Sequence, residues 1–513
     1  MPYCGPGFSD TGHTSSRSHA LIVRIHLLVN VLMSMAKTNL SVVVALIGFF
    51  APLCSGLPRA TSAHAVEGSK ALPGAYIIRL HQERVPVKRA GKVVSHKTTY
   101  SGTIHVGSPE AQEFKVVFDT GSAHLILPAV ECTSPACLQR RRYNMTRSST
   151  GCAIKVDGSP VIPGDSIDEV TIGFGTGRVV GETVREKVCL GEVAAPGPCV
   201  LTRAIAATAM SGSSFEELQF DGILGLGLSS LALSKAYSVF DVLVESQQLA
   251  HPYFSVFLAH ETGRESEIAI GGHNEHRLLS QFAWVPTVKP ELGYWQVEIA
   301  AVRIDGDELD LCRDGTCCGI LDSGTSHLGL PAIEYAEADG RLAQPAWDAS
   351  VDCRLVKAPT IQLELRGVNL TLYPGDYMRP LPLSKQVMKR ATARPQAADE
   401  VVAGDAVIEP EHYCRPKLMP VNWPPPMGPK VFIFGEVVLQ RYYTAYDWSG
   451  PRAGFALANQ LDVTLHEARG PGEKAGLPRS SDEIMLMQVS LSLSHHRQAQ
   501  GLATVLEVWI PGL

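Results

Sequence analysis

The chain reads as a mainly β protein built from two similar lobes, and three observations predict this. A ten-residue phrase occurs twice, as Asp119-Thr-Gly-Ser-Ala-His-Leu-Ile-Leu-Pro128 and as Asp322-Ser-Gly-Thr-Ser-His-Leu-Gly-Leu-Pro331. Apolar segments alternate with turn signals through most of the sequence, the pattern of strands and not of helices. Gly and Pro are plentiful, at 46 and 34, while charged residues make up only 19%. A chain of 513 residues is long enough for two substantial cores.

The repeat comes first because it bears on function. Each copy follows an apolar run, Phe114–Phe118 in one case and Gly319–Leu321 in the other. Each Asp is followed by a hydroxyl residue, a glycine and a second hydroxyl residue. One Asp before Gly is an ordinary turn former. Two carboxylates in matching frames instead predict that each lobe delivers one Asp to a shared site.

Around the repeat the elements follow in order. Ser101–Val106 and Phe114–Phe118, joined across Gly107-Ser-Pro109, read as a hairpin. Val170–Val180 reads as another, with glycines at its tip that let backbone approach a ligand. Phe220–Gly227 is a buried strand, Ser238–Gln248 a short amphipathic helix, and Tyr253–Leu258 a further strand. Trp423-Pro-Pro-Pro426 is a rigid connector, and Val431–Gly435 and Tyr442–Tyr446 are closing strands. Residues 380–411 read as an exposed insertion. The tail 459–513 has one apolar segment, Ile484–Leu493, and no legible role.

A net charge of −6 gives no sign of a nucleic-acid partner, and Gln139-Arg-Arg-Arg142 reads as a solvated loop. Leu40–Leu53 is an apolar run with Lys37 before it and Cys54-Ser-Gly56 after it, the layout of a secretory signal. We therefore expect a start at Met35, a signal over 35–56, and an extension upstream of the true start over 1–34. A signal anchor that keeps a cytosolic stub is the alternative. The run is too short to cross a bilayer comfortably, so no stable membrane span is expected once it is removed. Thr14–Ala20 resembles the nucleotide switch of kinesin motors, but no phosphate-cradling GxxxxGK[ST] loop accompanies it. Residues 57–98 are polar, basic and short of a core-type pattern. They read as a prosegment that covers an acidic cleft until carboxylates protonate, or as a flexible mature arm.

Of twelve cysteines, ten remain after the expected signal, an even number that favours disulfides in a secreted chain. Cys132 and Cys137 enclose one short loop, Cys312 with Cys317 or Cys318 another, and Cys353 with Cys414 a long one. The short loops contribute about 2 kcal/mol each and the long one about 4 on the chain-entropy model. The pairing of Cys152, Cys189, Cys199 and Cys318 stays open. Adjacent Cys317 and Cys318 make a poor chelate and no histidine has zinc-site spacing, so neither metal nor cofactor is expected.

These residues resemble the pepsin-like aspartic peptidases over about Tyr100 to Ala458. The likeness rests on Phe118-Asp-Thr-Gly-Ser122, Leu321-Asp-Ser-Gly-Thr-Ser326, Phe220-Asp-Gly-Ile-Leu-Gly225, Gly293-Tyr-Trp-Gln296, and Phe434-Gly-Glu436 followed by Tyr442-Tyr-Thr444. The resemblance implies a bilobal β fold with a central cleft, an N-terminal lobe over 99–283 and a C-terminal lobe over 284–458. It implies Asp119 and Asp322 as the catalytic pair. Gly121 and Gly324 would let the loops approach, and Ser122 and Thr325 would orient the outer carboxylate oxygens. It places Phe174, Gly175, Thr176 and Gly177 in a flap, with Tyr294 in the cleft.

Two positions depart from the family pattern. Phe174 stands where the flap usually carries Tyr, and Ile126 where a Trp is usual. Both ends of a hydroxyl-mediated link are thus missing, and replacing both partners by apolar groups can be nearly neutral. His124 and His327 read as packed histidines beneath the loops. The expected function is a monomeric aspartic endopeptidase of the secretory or endolysosomal route. It would take an extended peptide or protein segment, cut between apolar side chains and prefer acid. The alternative is a catalytically impaired homologue that binds peptides or proteins. Asn144-Met-Thr146 and Asn369-Leu-Thr371 fit the glycosylation acceptor pattern of a secreted chain.

Overall fold

The computed structural model describes residues 74–89, 92–175, 177–261, 263–384, 411–460, 488–497 and 504–506. The upstream extension, the expected signal, most of the expected insertion (385–410) and Thr176 lie outside them.

The fold is mainly β, with two large mixed sheets. The sheet of the first lobe runs from Ala283–Pro286 through Arg452–Leu457, Tyr442–Asp447, Tyr253–Phe257, Ser266–Ile270, Tyr76–Arg89 and Lys92–Val106 to Gln112–Asp119. It continues through Gly222–Gly225, Leu125–Pro128, Ala195–Ser211, Gly177–Glu192 and Ser166–Phe174. Its first five strands come from 253–286 and 442–457, and Tyr76–Leu80 pairs with the fifth, so this part of the sheet brings together the start, middle and end of the matched region. The sheet of the second lobe runs Val368–Leu372, Ile361–Leu365, Gln296–Ile304, Cys318–Leu321, Val431–Phe434, Leu328–Pro331, Leu418–Val421.

The sequence repeat is a structural repeat. Val116–Asp119 lies parallel to Gly222–Gly225, which runs antiparallel to Leu125–Ile126. In the second lobe Cys318–Leu321 lies parallel to Val431–Phe434, which runs antiparallel to Leu328–Gly329. Each Asp therefore leaves the end of a buried strand, held between two others. Gly225 and Gly435 occupy matching places beside the loops. A Cβ on Gly225 would stand 2.4 Å from the Ala123 nitrogen, and one on Gly435 2.3 Å from the His327 carbonyl oxygen. No side chain fits at either point.

The expected hairpins form: Ser101–Val106 pairs with Gln112–Val117, and Glu169–Phe174 with Gly177–Glu182. The short helix spans Val239–Glu245, with the Ser238 hydroxyl accepting from the Asp241 amide at 3.3 Å. Burial of Trp295, Tyr237, Phe240 and Phe254 fills the centre.

The reading of 57–98 as short of a core pattern needs correction from residue 76 onward. Tyr76–Leu80 pairs with Ser266–Ile270, and His81–Arg89 with Lys92–Ser101. Ile78, Leu80 and Gln82 face inward and are buried, whereas Ile77, Arg79 and His81 alternate outward and are exposed. The charged outer face hides the alternation in the sequence. Gln82 Nε2 and Gln440 Nε2 both donate to the Tyr100 hydroxyl, which in turn donates to buried Glu436.

Disulfides join Cys132–Cys137, Cys312–Cys317 and Cys353–Cys414, and Cys317 rather than Cys318 closes the second short loop. A further bridge joins Cys189 to Cys199, which sit opposite each other on adjacent strands. Cys152 is also disulfide-bonded, while Cys318 is a buried free thiol. Among the described residues no helix is long and apolar enough to cross a membrane.

Candidate active site

The two aspartate loops meet. A Cβ placed on Gly121 would lie 2.7 Å from Asp322 Oδ1 and 2.8 Å from its Cγ, so the carboxyl of one lobe rests directly on the backbone of the other lobe's loop. Only glycine allows that approach. Asp119 and Asp322 are fully buried.

Each carboxyl is fixed in the same way. The Ser122 hydroxyl donates to Asp119 Oδ2 at 2.5 Å and the Gly121 amide to its Oδ1 at 3.0 Å. The Thr325 hydroxyl donates to Asp322 Oδ2 at 2.5 Å and the Gly324 amide to its Oδ1 at 2.8 Å. These bonds fix the orientation of each carboxyl, most firmly where it is ionised. Beneath them the hydroxyls of Thr120 and Ser323 cross the lobe boundary. Thr120 donates to the Leu321 carbonyl at 2.9 Å, and Ser323 to the Phe118 carbonyl at 2.7 Å.

Burial, and next the Asp322 charge, hold the Asp119 carboxyl well above the usual carboxylate range, against the bonds from Ser122 and Gly121. Burial also raises Asp322, opposed by Thr325 and Gly324. Two carboxyls this close cannot both ionise cheaply. Tyr294 is buried nearby, and burial followed by the charges of Asp322 and Asp119 pushes its phenol up.

The model of the family described as "Eukaryotic aspartyl protease" matches residues 99–458. The chain belongs to this family. Among the relatives of this chain are cathepsin E of Rattus norvegicus and gastricsin of Cavia porcellus. The former is 28% identical over 364 residues, 70% of this chain and 80% of the rat protein. Gastricsin is 30% identical over 364 residues, again 70% and 80%. Vacuolar protease A of Neurospora crassa is 28% identical over 365 residues, 70% of this chain and 79% of the fungal one.

The hairpin that the family resemblance assigns to a flap carries an apolar anchor. Phe174 is buried, with its ring edge-on to Phe215 at 5.6 Å between centroids. Phe174, Phe215 and Ile126 belong to one apolar cluster, so the two departures from the family pattern fall in the same dry region. Gly177 permits close packing there, since a Cβ would stand 2.5 Å from the Ser211 carbonyl oxygen. Gly175 is exposed at the turn.

The histidines of the repeat are core residues. His124 Nε2 accepts from the Leu233 amide at 3.0 Å. His327 is buried, and burial followed by the charges of Arg379 and Lys417 lowers it well below the ordinary histidine value. Sequence reasoning missed the crossing hydroxyls of Thr120 and Ser323, and the paired glycines Gly225 and Gly435. The hydroxyl residue immediately after each Asp is the signal that points to the first pair.

Proposed function

We propose that this aspartyl protease is an active endopeptidase in which Asp119 and Asp322 together activate one water molecule. The observation that carries the reading is the contact of the Asp322 carboxyl with Gly121 while Ser122 and Thr325 hold the outer oxygens of both acids. With one proton between them, the ionised carboxyl takes a proton from water as it attacks the scissile carbonyl. The protonated carboxyl donates toward the carbonyl oxygen, which relieves the charge that develops there. The pair still holds one proton after the attack; the newly protonated carboxyl gives it to the amide nitrogen as the C–N bond breaks, and the other takes the proton of a diol hydroxyl, so that an acid and an amine leave and one proton stays on the pair.

The substrate is an extended segment of peptide or protein, cut between apolar side chains, in keeping with the dry cluster of Phe174, Phe215 and Ile126. Acid is the favoured condition, because the second lobe retains the Thr325 hydroxyl on the outer oxygen of Asp322. The four described disulfides support an oxidising compartment of the secretory or endolysosomal route. Expression of residues 57–513 in an oxidising host, followed by incubation with a mixed peptide library from pH 3 to 7, tests the reading. Cleavage blocked by a statine-type inhibitor supports it. Tight peptide binding without cleavage contradicts it and favours a binding module.

A further inference from the structure

We propose that the C-terminal strand Gln488–Arg497 anchors the flap, and that Leu491 is a flap-positioning residue. This inference rests on the endopeptidase reading for its kinetic consequence, but not for its structural one. The strand lies antiparallel along the outer strand of the flap, from Arg497 opposite Ser166 to Gln488 opposite Phe174. Its own outer side is taken by Thr504–Leu506. Without it, Ser166–Phe174 would be a sheet edge with a row of unpaired backbone groups.

The register sets the faces. Leu491 is opposite Ile172 and Leu493 is opposite Val170. On the flap strand Val170, Ile172 and Phe174 form the buried face. Leu491 is buried in the same apolar cluster as Ile126, Phe174 and Phe215, and Leu493 packs against that cluster. The tail thus contributes side chains to the region where the polar flap link is replaced by Phe174 and Ile126.

Where the pairing stops is equally telling. It ends at Phe174, with a register irregularity between Gln488 and Ser490, one residue before the exposed Gly175. The base of the flap is therefore braced as a third strand would brace it, while among the described residues the pairing with the tail does not extend to the tip. Backbone pairing with alternate side chains in an apolar groove is the physics of strand addition, used here within one chain. A braced base leaves less ordering to be done when substrate closes the tip, so the brace acts on substrate binding more than on the chemical step.

The test uses the full chain. Thr171 and Ser492 are register partners. A double variant, Thr171→Cys with Ser492→Cys, is expected to form an intramolecular cross-link on oxidation, since opposed strand positions meet disulfide geometry. Leu491→Asp is expected to speed amide exchange over residues 166–182 by about tenfold or more, as local opening becomes easier. KM should rise about fivefold while kcat stays within about twofold, and Leu491→Met should restore both. Failure of the cysteines to cross-link, or unchanged exchange in a folded Leu491→Asp protein, overturns the proposal. A chain that cross-links and shows the exchange change but cleaves no peptide keeps the brace and overturns only the endopeptidase reading.

Discussion

Thr120 and Ser323 hold each other's backbone across the lobe boundary. The Ser323 amide donates to Thr120 Oγ1 at 3.0 Å, and the Thr120 amide donates to Ser323 Oγ at 3.0 Å. Both side chains are buried, and each hydroxyl also donates to a carbonyl of the opposite loop. The four bonds make the relative position of the two loops a property of two small side chains. Thr120→Val removes the hydroxyl and leaves the Ser323 amide and the Leu321 carbonyl without this partner. The expected loss is about 2–4 kcal/mol of stability in urea unfolding, since orphaned buried groups retain their desolvation cost. Thr120→Ser should recover most of it.

Gly121→Ala probes the approach of the two acids. The added methyl would overlap the Asp322 carboxyl, so the loops must separate or the carboxyl must rotate. A displacement of roughly 1 Å at the reacting centre costs on the order of 10²-fold in rate. Steady-state kinetics should show kcat falling by about that much, with the far-ultraviolet circular dichroism unchanged.

The raised carboxyls predict a pH-dependent stability. A carboxyl whose folded pKa lies above its unfolded value favours the folded state only when it is protonated. That contribution is complete below the unfolded value and is lost as pH rises through the folded one. Asp119 is held well above its usual range by burial and the Asp322 charge. Asp119→Asn is therefore expected to raise the Tm at pH 7, with the gain shrinking toward pH 3. Thermal unfolding of both proteins across that range measures it; a gain that grows toward acid contradicts the assignment.

Phe174→Tyr tests whether the flap contact has been rebuilt as an apolar one. Phe174 packs on Phe215 in the cluster that also holds Ile126. A hydroxyl added there without a partner costs about 1–3 kcal/mol. We expect lower stability and a kcat/KM no better than that of the parent, measured on the same peptide.

The frame of the two paired acids was legible because it is local. Each Asp, its glycine and its second hydroxyl stand within four residues, and the phrase recurs at Asp322. The short disulfide loops are local too. What stayed hidden depends on partners far apart in sequence. Ile78, Leu80 and Gln82 are a buried face only because Ser266–Ile270 and Lys92–Ser101 lie beside that strand. Cys189 and Cys199 are only ten residues apart, but their pairing depends on the register of the hairpin that carries them, which the sequence does not mark. The tail strand carried a signal of its own, the alternation Ser490-Leu-Ser-Leu-Ser494, which reads as a half-buried strand. Nothing in that pattern says which edge it joins.

The most direct test of the central claim is cleavage by the single variants Asp119→Asn and Asp322→Asn, each first shown to be folded by its Tm. If the two acids act as one unit around a shared proton, each change alone abolishes cleavage at every pH from 3 to 7. Proteolysis that persists undiminished in either folded variant contradicts it.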